Sequence, residues 1–208
     1  MAIREELEQL RVAMGVCIKR DGPYTLASGR TSHYYYNGKL GTLDPAIAWQ
    51  VGNLLAEPVL ASGAEAVGGL ELGSIPLSDA IGIAAHLNGS RLPTFIVRKQ
   101  AKDHGTQVLV EQPNIADGPL LRPGRPVAIV DDTITTGGSI RQAVEVVQGL
   151  GCEVKIIVAL VERHENQGVA LRDLGVPVWT LFHTDEQGTL FVDEGFVALA
   201  EGVRQRRN

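Results

Sequence analysis

Two patterns of apolar residues alternate along this chain: short continuous apolar runs, and apolar residues repeated at helical spacing. Short apolar runs predict buried strands at 66–70, 94–97, 127–130, 154–161 and 176–182. Apolar residues at helical spacing predict helices at about 3–19, 45–60, 77–88, 139–150, 167–174 and 193–207. Because strands and helices alternate with short links, the pattern indicates an α/β fold with a mainly parallel sheet and right-handed crossovers.

Turn and cap signals add detail between these elements. Asp44 followed by Pro45 predicts a helix start, since aspartate caps free N–H groups and proline suits the first helical position. Residues 24–40 are predicted to form two short strands around a turn at 28–30. The segment 105–125 has little periodicity and contains three prolines, so much of it is predicted to be a mobile loop.

Composition and charge narrow the class of protein. A chain of 208 residues suits a single domain, and 44% apolar with 21% charged residues is typical of a globular protein. The formal charge of -5 argues against nucleic-acid binding, and no apolar run approaches the roughly 20 residues of a membrane span. The charged first residues do not resemble a signal peptide, and two isolated cysteines favour a cytoplasmic location over a disulfide framework.

Candidate chemistry is concentrated at 127–139, which reads VAIVDDTITTGGS. A predicted strand is followed by Asp131 and Asp132, then by a turn rich in hydroxyls and glycines, then by a helix. Backbone N–H groups of such a turn can hold a phosphate, while the two carboxylates can accept hydrogen bonds from sugar hydroxyls. A phosphorylated sugar meets both demands. An ordinary capping turn would leave the acidic pair unexplained, and neither a Walker-type G-K-[ST] nor a G-x-G-x-x-G pattern is present.

A second unusual segment is the heptad 98–104, which contains two of the five lysines of the chain. Its candidate side chains are Arg98, Lys99, Lys102 and His104. Cations on a loop suit a departing pyrophosphate, whose negative charge grows as it leaves a carbon centre. A solvated basic loop tip is the alternative.

These segments closely resemble one protein family. The stretch 127–139 resembles the phosphoribosyl-pyrophosphate (PRPP) loop of type I phosphoribosyltransferases, and RKQAKDHG at 98–105 resembles the catalytic loop of orotate phosphoribosyltransferases. The segment 24–37 resembles the part of that family in which an aromatic pair lies over the orotate ring, here Tyr35 and Tyr36. Arg163, after an apolar strand, matches the family arginine that binds the substrate carboxylate, a group that a guanidinium pairs well.

The resemblance implies a full set of expectations. The fold would be the type I phosphoribosyltransferase fold in one domain, 1–208, with a small hood formed by about 20–40 and about 183–192. The mobile catalytic loop would span about 98–113. The enzyme would convert orotate and PRPP to orotidine 5′-monophosphate and pyrophosphate, in pyrimidine synthesis. It would be a homodimer whose catalytic loop serves the neighbouring subunit, and Mg²⁺ would be bound mainly through PRPP rather than by a protein metal site.

The implied site residues fall into three groups. The catalytic residues would be Lys102, His104, Asp131 and Asp132. The PRPP-binding residues would be Arg98, Lys99, Lys102, His104, Asp131, Asp132, Thr133, Thr135, Thr136, Gly137, Gly138 and Ser139. The orotate-binding residues would be Tyr35, Tyr36, Thr135 and Arg163.

The chain departs from the family pattern at a few positions. Some relatives have lysine at the positions of Ala27 and Gly73, and aspartate and arginine are common at the positions of Asn37 and Lys39. Two other functions remain open from the sequence. One is a phosphoribosyltransferase for another base, and the other is a PRPP-binding regulator without turnover. Arg163 argues against the first, and the intact basic heptad argues against the second.

Overall fold

The computed structural model describes residues 2–25, 31–100, 109–116, 118–165 and 171–206. The helices are α1 Ile3–Ala13, α2 Lys39–Thr42, α3 Pro45–Ala61, α4 Ser74–Leu87, α5 Gly138–Gly149 and α6 Glu194–Gln205. The strands are β1 Ile18–Lys19, β2 Tyr24–Thr25, β3 Thr31–Ser32, β4 Tyr35–Tyr36, β5 Ala66–Leu70, β6 Thr94–Val97, β7 Val110–Glu111, β8 Asn114–Ile115, β9 Gly118–Pro119, β10 Pro126–Ile134, β11 Glu153–Glu162, β12 Val178–Thr184 and β13 Leu190–Val192. Short 3₁₀ helices lie at Met14–Cys17 and Arg172–Leu174.

A seven-stranded sheet forms the centre of the fold, in the order β13-β12-β11-β10-β5-β6-β7. The five inner strands, β12 to β6, are parallel, and an antiparallel strand closes each edge. The predicted α/β class with a mainly parallel sheet is confirmed. Parallel strands place all their carboxyl ends on one side of the sheet, which is where ligands bind in such folds.

Side chains of β10 alternate between two apolar cores, as the period of a strand requires. Ala128 and Val130 join the core that contains α1, α3, α4 and α6. Val127 and Ile129 join the core on the other face, which contains α5. All four are fully buried. Because β10 is covered on both faces, its polar residues are found only toward its carboxyl end, from Asp131 onward.

The N-terminal segment forms two small antiparallel ribbons, β1 with β4 and β2 with β3. The turn connecting β12 to β13 contacts this segment, because Arg20 Nη2 donates to the Gly188 carbonyl at 3.0 Å. Gly188 has a φ of +77°, and a Cβ there would lie 2.5 Å from the Tyr34 ring. The hood expected from about 20–40 and about 183–192 stays a prediction. Its second segment includes residues of β12 and β13, which belong to the central sheet. The predicted turn at 28–30 lies outside the described residues.

Several predicted boundaries were wrong. The first helix was predicted to reach residue 19 but ends at Ala13, because the chain turns through a 3₁₀ helix and Ile18 then pairs with Tyr36. Helix α4 begins at Ser74 instead of 77, since Pro76 lies in the first turn, where its missing N–H costs nothing. The segment 109–116 and 118–125 is not all loop but contains β7, β8 and β9.

Strand β10 is also longer than its apolar run. The backbone of Asp131 and of Thr133 still pairs with β11, opposite Ala159 and Val161. The acidic pair therefore lies within the strand, not after it. None of the helices among the described residues combines the length and the apolar character that crossing a membrane requires.

Candidate active site

A cleft of about 630 Å³ lies at the carboxyl ends of β5, β10 and β11. It is lined by Thr25, Tyr35, Tyr36, Lys39, Leu70, Glu71, Leu72, Gly73, Lys99, Asp131, Asp132, Thr133, Thr135, Thr136, Ser139 and Arg163. The structure therefore brings together the acidic pair, the hydroxyl-rich turn, one cation of the basic heptad, the aromatic pair and the predicted carboxylate-binding arginine. The acidic pair and Arg163 meet because β10 and β11 are parallel neighbours, whereas Tyr35 and Tyr36 come from the small antiparallel ribbon of β1 and β4.

The acidic pair occupies two different environments. Asp131 is 6% exposed, and its Oδ1 accepts a hydrogen bond from the Asp132 N–H at 2.9 Å. Burial, with the neighbouring Asp132 charge, raises the pKa of Asp131 to about 7. Asp132 instead forms an ion pair with Lys39, whose Nζ lies 3.3 Å from Oδ2. Asp132 is therefore the member of the pair that forms a salt bridge with Lys39, and Asp131 is the buried member whose pKa is raised.

Two glycines leave room for the carboxylate of Asp132. A Cβ built on Gly73 would lie 2.6 Å from Asp132 Oδ1, and one built on Gly38 would lie 3.0 Å from Asp132 Cβ. A side chain at either position would push the carboxylate out of its place. A lysine in place of Gly73 would therefore need a different arrangement of Asp132.

The hydroxyl- and glycine-rich turn connects β10 to α5. Gly137 caps α5 with a φ of +74°, a conformation that side chains disfavour and glycine adopts freely. Thr135, Thr136 and Ser139 line the cleft around this helix start. The first N–H groups of a helix have no partner within it and carry partial positive charge, so the turn suits a phosphate.

The basic heptad is anchored at its first residues. The Lys99 N–H donates to Glu71 Oε1 at 2.9 Å, and its carbonyl accepts from Gln142 Nε2 at 3.1 Å. These bonds leave the Lys99 side chain exposed beside the cleft. Arg98 does not line the cleft, since its Nη1 lies 3.3 Å from Glu111 Oε1. Lys102 and His104 lie outside the described residues, so their predicted contacts with pyrophosphate stay predictions.

Arg163 follows β11 and its side chain is only 3% exposed. Glu165 pairs with it through two hydrogen bonds, from Nε at 3.1 Å and from Nη2 at 2.8 Å. Nη2 also donates to Ser32 Oγ at 3.0 Å, and the guanidinium carbon lies 4.3 Å from the centre of the Tyr34 ring. Burial would raise the pKa of Glu165, but the hydrogen bonds and positive charge of Arg163, a backbone hydrogen bond and the neighbouring His164 together lower it.

The three consecutive tyrosines have different surroundings. Tyr35 is 40% exposed and its ring lies 5.6 Å from that of Tyr24, at the cleft. Tyr36 is buried, and its hydroxyl has no partner among the described residues. Tyr34 is fully buried, and its hydroxyl lies 2.8 Å from Thr184 Oγ1. Of the predicted aromatic pair, Tyr35 is therefore the ring with the more open face.

The sequence analysis did not predict four residues that organise this cleft. Tyr34, Ser32 and Glu165 surround Arg163, and Lys39 pairs with Asp132. Glu165 could have been suspected from its place two residues after the arginine in the ERHE sequence. Nothing in the sequence separates Tyr34 from its two neighbours.

Comparison with known proteins identifies the family. The family model described as "Phosphoribosyl transferase domain" matches residues 47–177. A protein of Sorangium cellulosum named orotate phosphoribosyltransferase is 44% identical over 154 residues, covering 74% of this chain and 78% of the relative. One of the same name from Thermosynechococcus vestitus is 38% identical over 186 residues, covering 88% and 95%. The chain belongs to the orotate phosphoribosyltransferase family.

Solved structures agree with this family. The orotate phosphoribosyltransferase of Mycobacterium tuberculosis, in complex with Fe(III) dicitrate, has a TM-score of 0.70 at 31% identity, covering 88% of this chain and 99% of that one. The same protein in complex with PRPP has a TM-score of 0.66 at 28% identity, with the same coverage. An adenine phosphoribosyltransferase of Rhodothermus marinus, at 22% identity and a TM-score of 0.58, shows the shared fold alone. The expected type I phosphoribosyltransferase fold is confirmed.

Proposed function

We propose that this protein transfers the phosphoribosyl group of PRPP to orotate, which forms orotidine 5′-monophosphate and releases pyrophosphate. The observation that carries this proposal is the single cleft that holds an acidic pair, a phosphate-binding turn and a buried arginine. Each matches one part of the two substrates: ribose hydroxyls, 5-phosphate and base carboxylate. The family relationship supports the same activity, and with it a role in pyrimidine synthesis.

The base end of the cleft supports orotate over other bases. Arg163 lines the cleft, and a guanidinium binds a carboxylate through charge-assisted hydrogen bonds. A purine or uracil has no carboxylate to meet it, so an arginine here would be left buried without a substrate partner. Tyr35 offers its exposed ring for packing against a flat pyrimidine. Thr135, which lines the same cleft, is proposed as a polar neighbour of the base.

The ribose phosphate end has the complementary chemistry. Asp131 and Asp132, which line the cleft, would accept hydrogen bonds from ribose hydroxyls, and the turn Thr135 to Ser139 at the start of α5 would hold the 5-phosphate through backbone N–H groups and hydroxyls. Such contacts fix the anomeric carbon relative to the base. As pyrophosphate leaves, this carbon becomes oxocarbenium-like, so catalysis rests on positioning and charge stabilisation.

The departing pyrophosphate needs cations. Lys99 lies at the cleft with its side chain exposed, and we propose that Lys102 and His104, with Arg98, complete this set when substrate is bound. The resemblance to the family loop further implies a homodimer in which Lys102 and His104 serve the neighbouring subunit. A two-fold axis would then place both loops symmetrically.

Magnesium fits this cleft as a companion of PRPP. Among the described residues there is no group of three or more metal-ligating side chains, yet the carboxylates of Asp131 and Asp132 reach the same space as the substrate oxygens would. Bound through pyrophosphate and ribose oxygens and water, Mg²⁺ would offset the negative charge of the leaving group. The two cysteines, both free and buried, are consistent with the proposed cytoplasmic location.

The proposal is tested by mixing protein, PRPP, Mg²⁺ and orotate and following the loss of orotate absorbance. We expect turnover that requires all four components, and orotidine 5′-monophosphate as the product in chromatography. Adenine or uracil in place of orotate should give no product. Absence of turnover with orotate, in a protein that binds PRPP, would contradict the proposed reaction.

A further inference from the structure

The surroundings of Arg163 show how a guanidinium can be fixed before its substrate arrives. Five N–H bonds are available on an arginine side chain. Glu165 accepts from Nε and Nη2, at 3.1 and 2.8 Å, which occupies the side edge of the guanidinium. Ser32 Oγ accepts from Nη2 at 3.0 Å. Nη1 has no acceptor among the described residues, so it is the nitrogen that remains for a ligand.

The face of the guanidinium is held as well. Its carbon lies 4.3 Å from the centre of the Tyr34 ring, a distance at which a cation is attracted to an aromatic face. Tyr34 cannot move freely, because its hydroxyl is bonded to Thr184 Oγ1 at 2.8 Å and the Gly188 backbone packs against its ring. The Arg163 backbone is also fixed, since its N–H donates to the Ile134 carbonyl at 2.9 Å.

The three residues that hold the guanidinium are not part of the cleft wall. Arg163 lines the cleft, whereas Glu165, Ser32 and Tyr34 do not. Glu165 therefore pairs with Arg163 without itself lining the space in which the substrate would bind. Its side chain is 16% exposed, so the pair with Arg163 is formed largely out of water, where an ion pair is held more firmly than at the surface.

We propose that Glu165 is a positioning residue for the substrate base: it holds Arg163 with Nη1 directed into the cleft, where the base carboxylate binds. This inference rests on the proposed function. Two consequences follow from the geometry. The arginine loses no side-chain freedom when the carboxylate arrives, which favours affinity. Its orientation also fixes the base relative to the ribose, so the same residue affects which ring is accepted.

The test is Glu165→Gln, which preserves shape but removes the charge and replaces one acceptor oxygen by an N–H donor facing the Arg163 donors. Steady-state kinetics should show the KM for orotate raised about ten- to a hundredfold, with the KM for PRPP changed less than about twofold. Isothermal titration should show the same selective loss for orotate alone. Glu165→Asp, which keeps the charge on a shorter arm, should recover part of the orotate affinity.

A matched control is available at another arginine. Glu6 accepts from Arg204 Nη1 and Nη2 at 2.9 and 3.1 Å, and neither residue lines the cleft. Glu6→Gln makes the same chemical change to a doubly bonded carboxylate and should alter thermal stability but neither KM. A general loss of stability would affect Glu6→Gln and Glu165→Gln alike, whereas positioning affects orotate only in the second.

The outcomes separate this inference from the proposed function. Failure of the wild-type protein to use orotate would contradict the proposed function itself. With an active wild type, an unchanged orotate KM in Glu165→Gln would overturn positioning, and a lower KM would show that Glu165 competes with the substrate instead. Should Glu165→Gln not fold, Ser32→Ala removes only a neutral acceptor and must raise the orotate KM selectively, about three- to tenfold. Equal KM values for that variant and the wild type would also overturn the proposal.

Discussion

The two ends of the cleft differ in how firmly the protein holds the cationic side chain that each of them presents. At the base end, Arg163 is surrounded by Glu165, Ser32 and Tyr34, and in the part of the chain that the structure describes only its Nη1 has no acceptor. At the pyrophosphate end, the Lys99 side chain is exposed. The base is small and neutral apart from its carboxylate, and a fixed site can match it. Pyrophosphate carries a high negative charge that increases during the reaction. Cations that bind it more strongly in the transition state than in the ground state therefore contribute most to the rate.

The largest effect is expected from a substitution that removes orotate binding at the base end and leaves the PRPP end unchanged. Arg163→Ala removes the partner of the base carboxylate and should lower kcat/KM for orotate about a thousandfold, the range seen when a buried charge partner is truncated. PRPP affinity should change little, because the acidic pair and the turn are untouched. Separate titrations of orotate and PRPP are the measurement. Equal weakening of both ligands would mean that Arg163 supports the whole cleft rather than its base end.

The next largest effect is expected when a cation is removed from the pyrophosphate end of the cleft. The same variant tests whether each active site is shared between two subunits. Lys102→Ala should bind orotate normally but turn over about 10²–10³-fold more slowly, because a cation is lost where charge develops. When the Lys102→Ala and Arg163→Ala proteins are combined and exchange subunits, about half of the dimers should contain one chain of each kind. Roughly a quarter of the number of wild-type sites should then be restored. A loop acting within its own subunit would restore none. Native mass spectrometry must first confirm that mixed dimers have formed.

A smaller effect is expected between the two ends. Asp132→Asn replaces an acceptor oxygen by a donor at the ribose position, which should weaken PRPP use about ten- to a hundredfold. Loss of the ion pair with Lys39 adds to this change. Asp79→Asn, an exposed aspartate that accepts from Thr94, is the matched control and should behave as wild type. Unchanged PRPP kinetics in a folded Asp132→Asn protein would contradict the role of this carboxylate.

The last expected effect concerns the stability of the fold and its pH dependence, not turnover. The pKa of Asp131 is raised to about 7, so the folded protein binds this proton more tightly than the unfolded chain does. Protonation of Asp131 therefore stabilises the folded protein. This contribution to the free energy of unfolding is fully present below the ordinary pKa of about 4 and is lost as pH rises through about 7. From pH 4 to pH 8, wild type should therefore lose about 2–4 kcal/mol relative to Asp131→Asn. Melting temperatures of both proteins across this range are the measurement, and parallel curves would contradict it.

The sequence predicted the central elements better than their ends. Asp44 with Pro45 located the start of α3 correctly, because a cap is a local interaction: the Asp44 carboxylate accepts from the Ala46 and Ile47 N–H groups. The end of β10 could not be read from its apolar run, because backbone pairing with β11 continues under the polar residues. Strand β13 was missed for a similar reason, since its three residues depend on pairing with β12.

The candidate site divides in the same way. The acidic pair, the turn and Arg163 could be predicted because each carries its chemistry in a short motif. The contact between Arg163 and Tyr34 joins residues 129 positions apart, and the pair of Lys39 with Asp132 spans 93. Such contacts follow from the order of strands in the sheet and not from local sequence. Lys102 and His104 were predicted from a motif and stay predictions.

The edge strands of the central sheet have a consequence for association between copies of the chain. Strand β7 is two residues long and β13 is three, and each runs antiparallel to its neighbour. A strand of another molecule could form only a few backbone hydrogen bonds with either edge before the ladder ended. Long, unprotected edges invite sheet extension and aggregation, and short ones oppose it. Two brief terminal strands therefore act as stops that keep a strongly apolar parallel sheet from growing beyond one molecule.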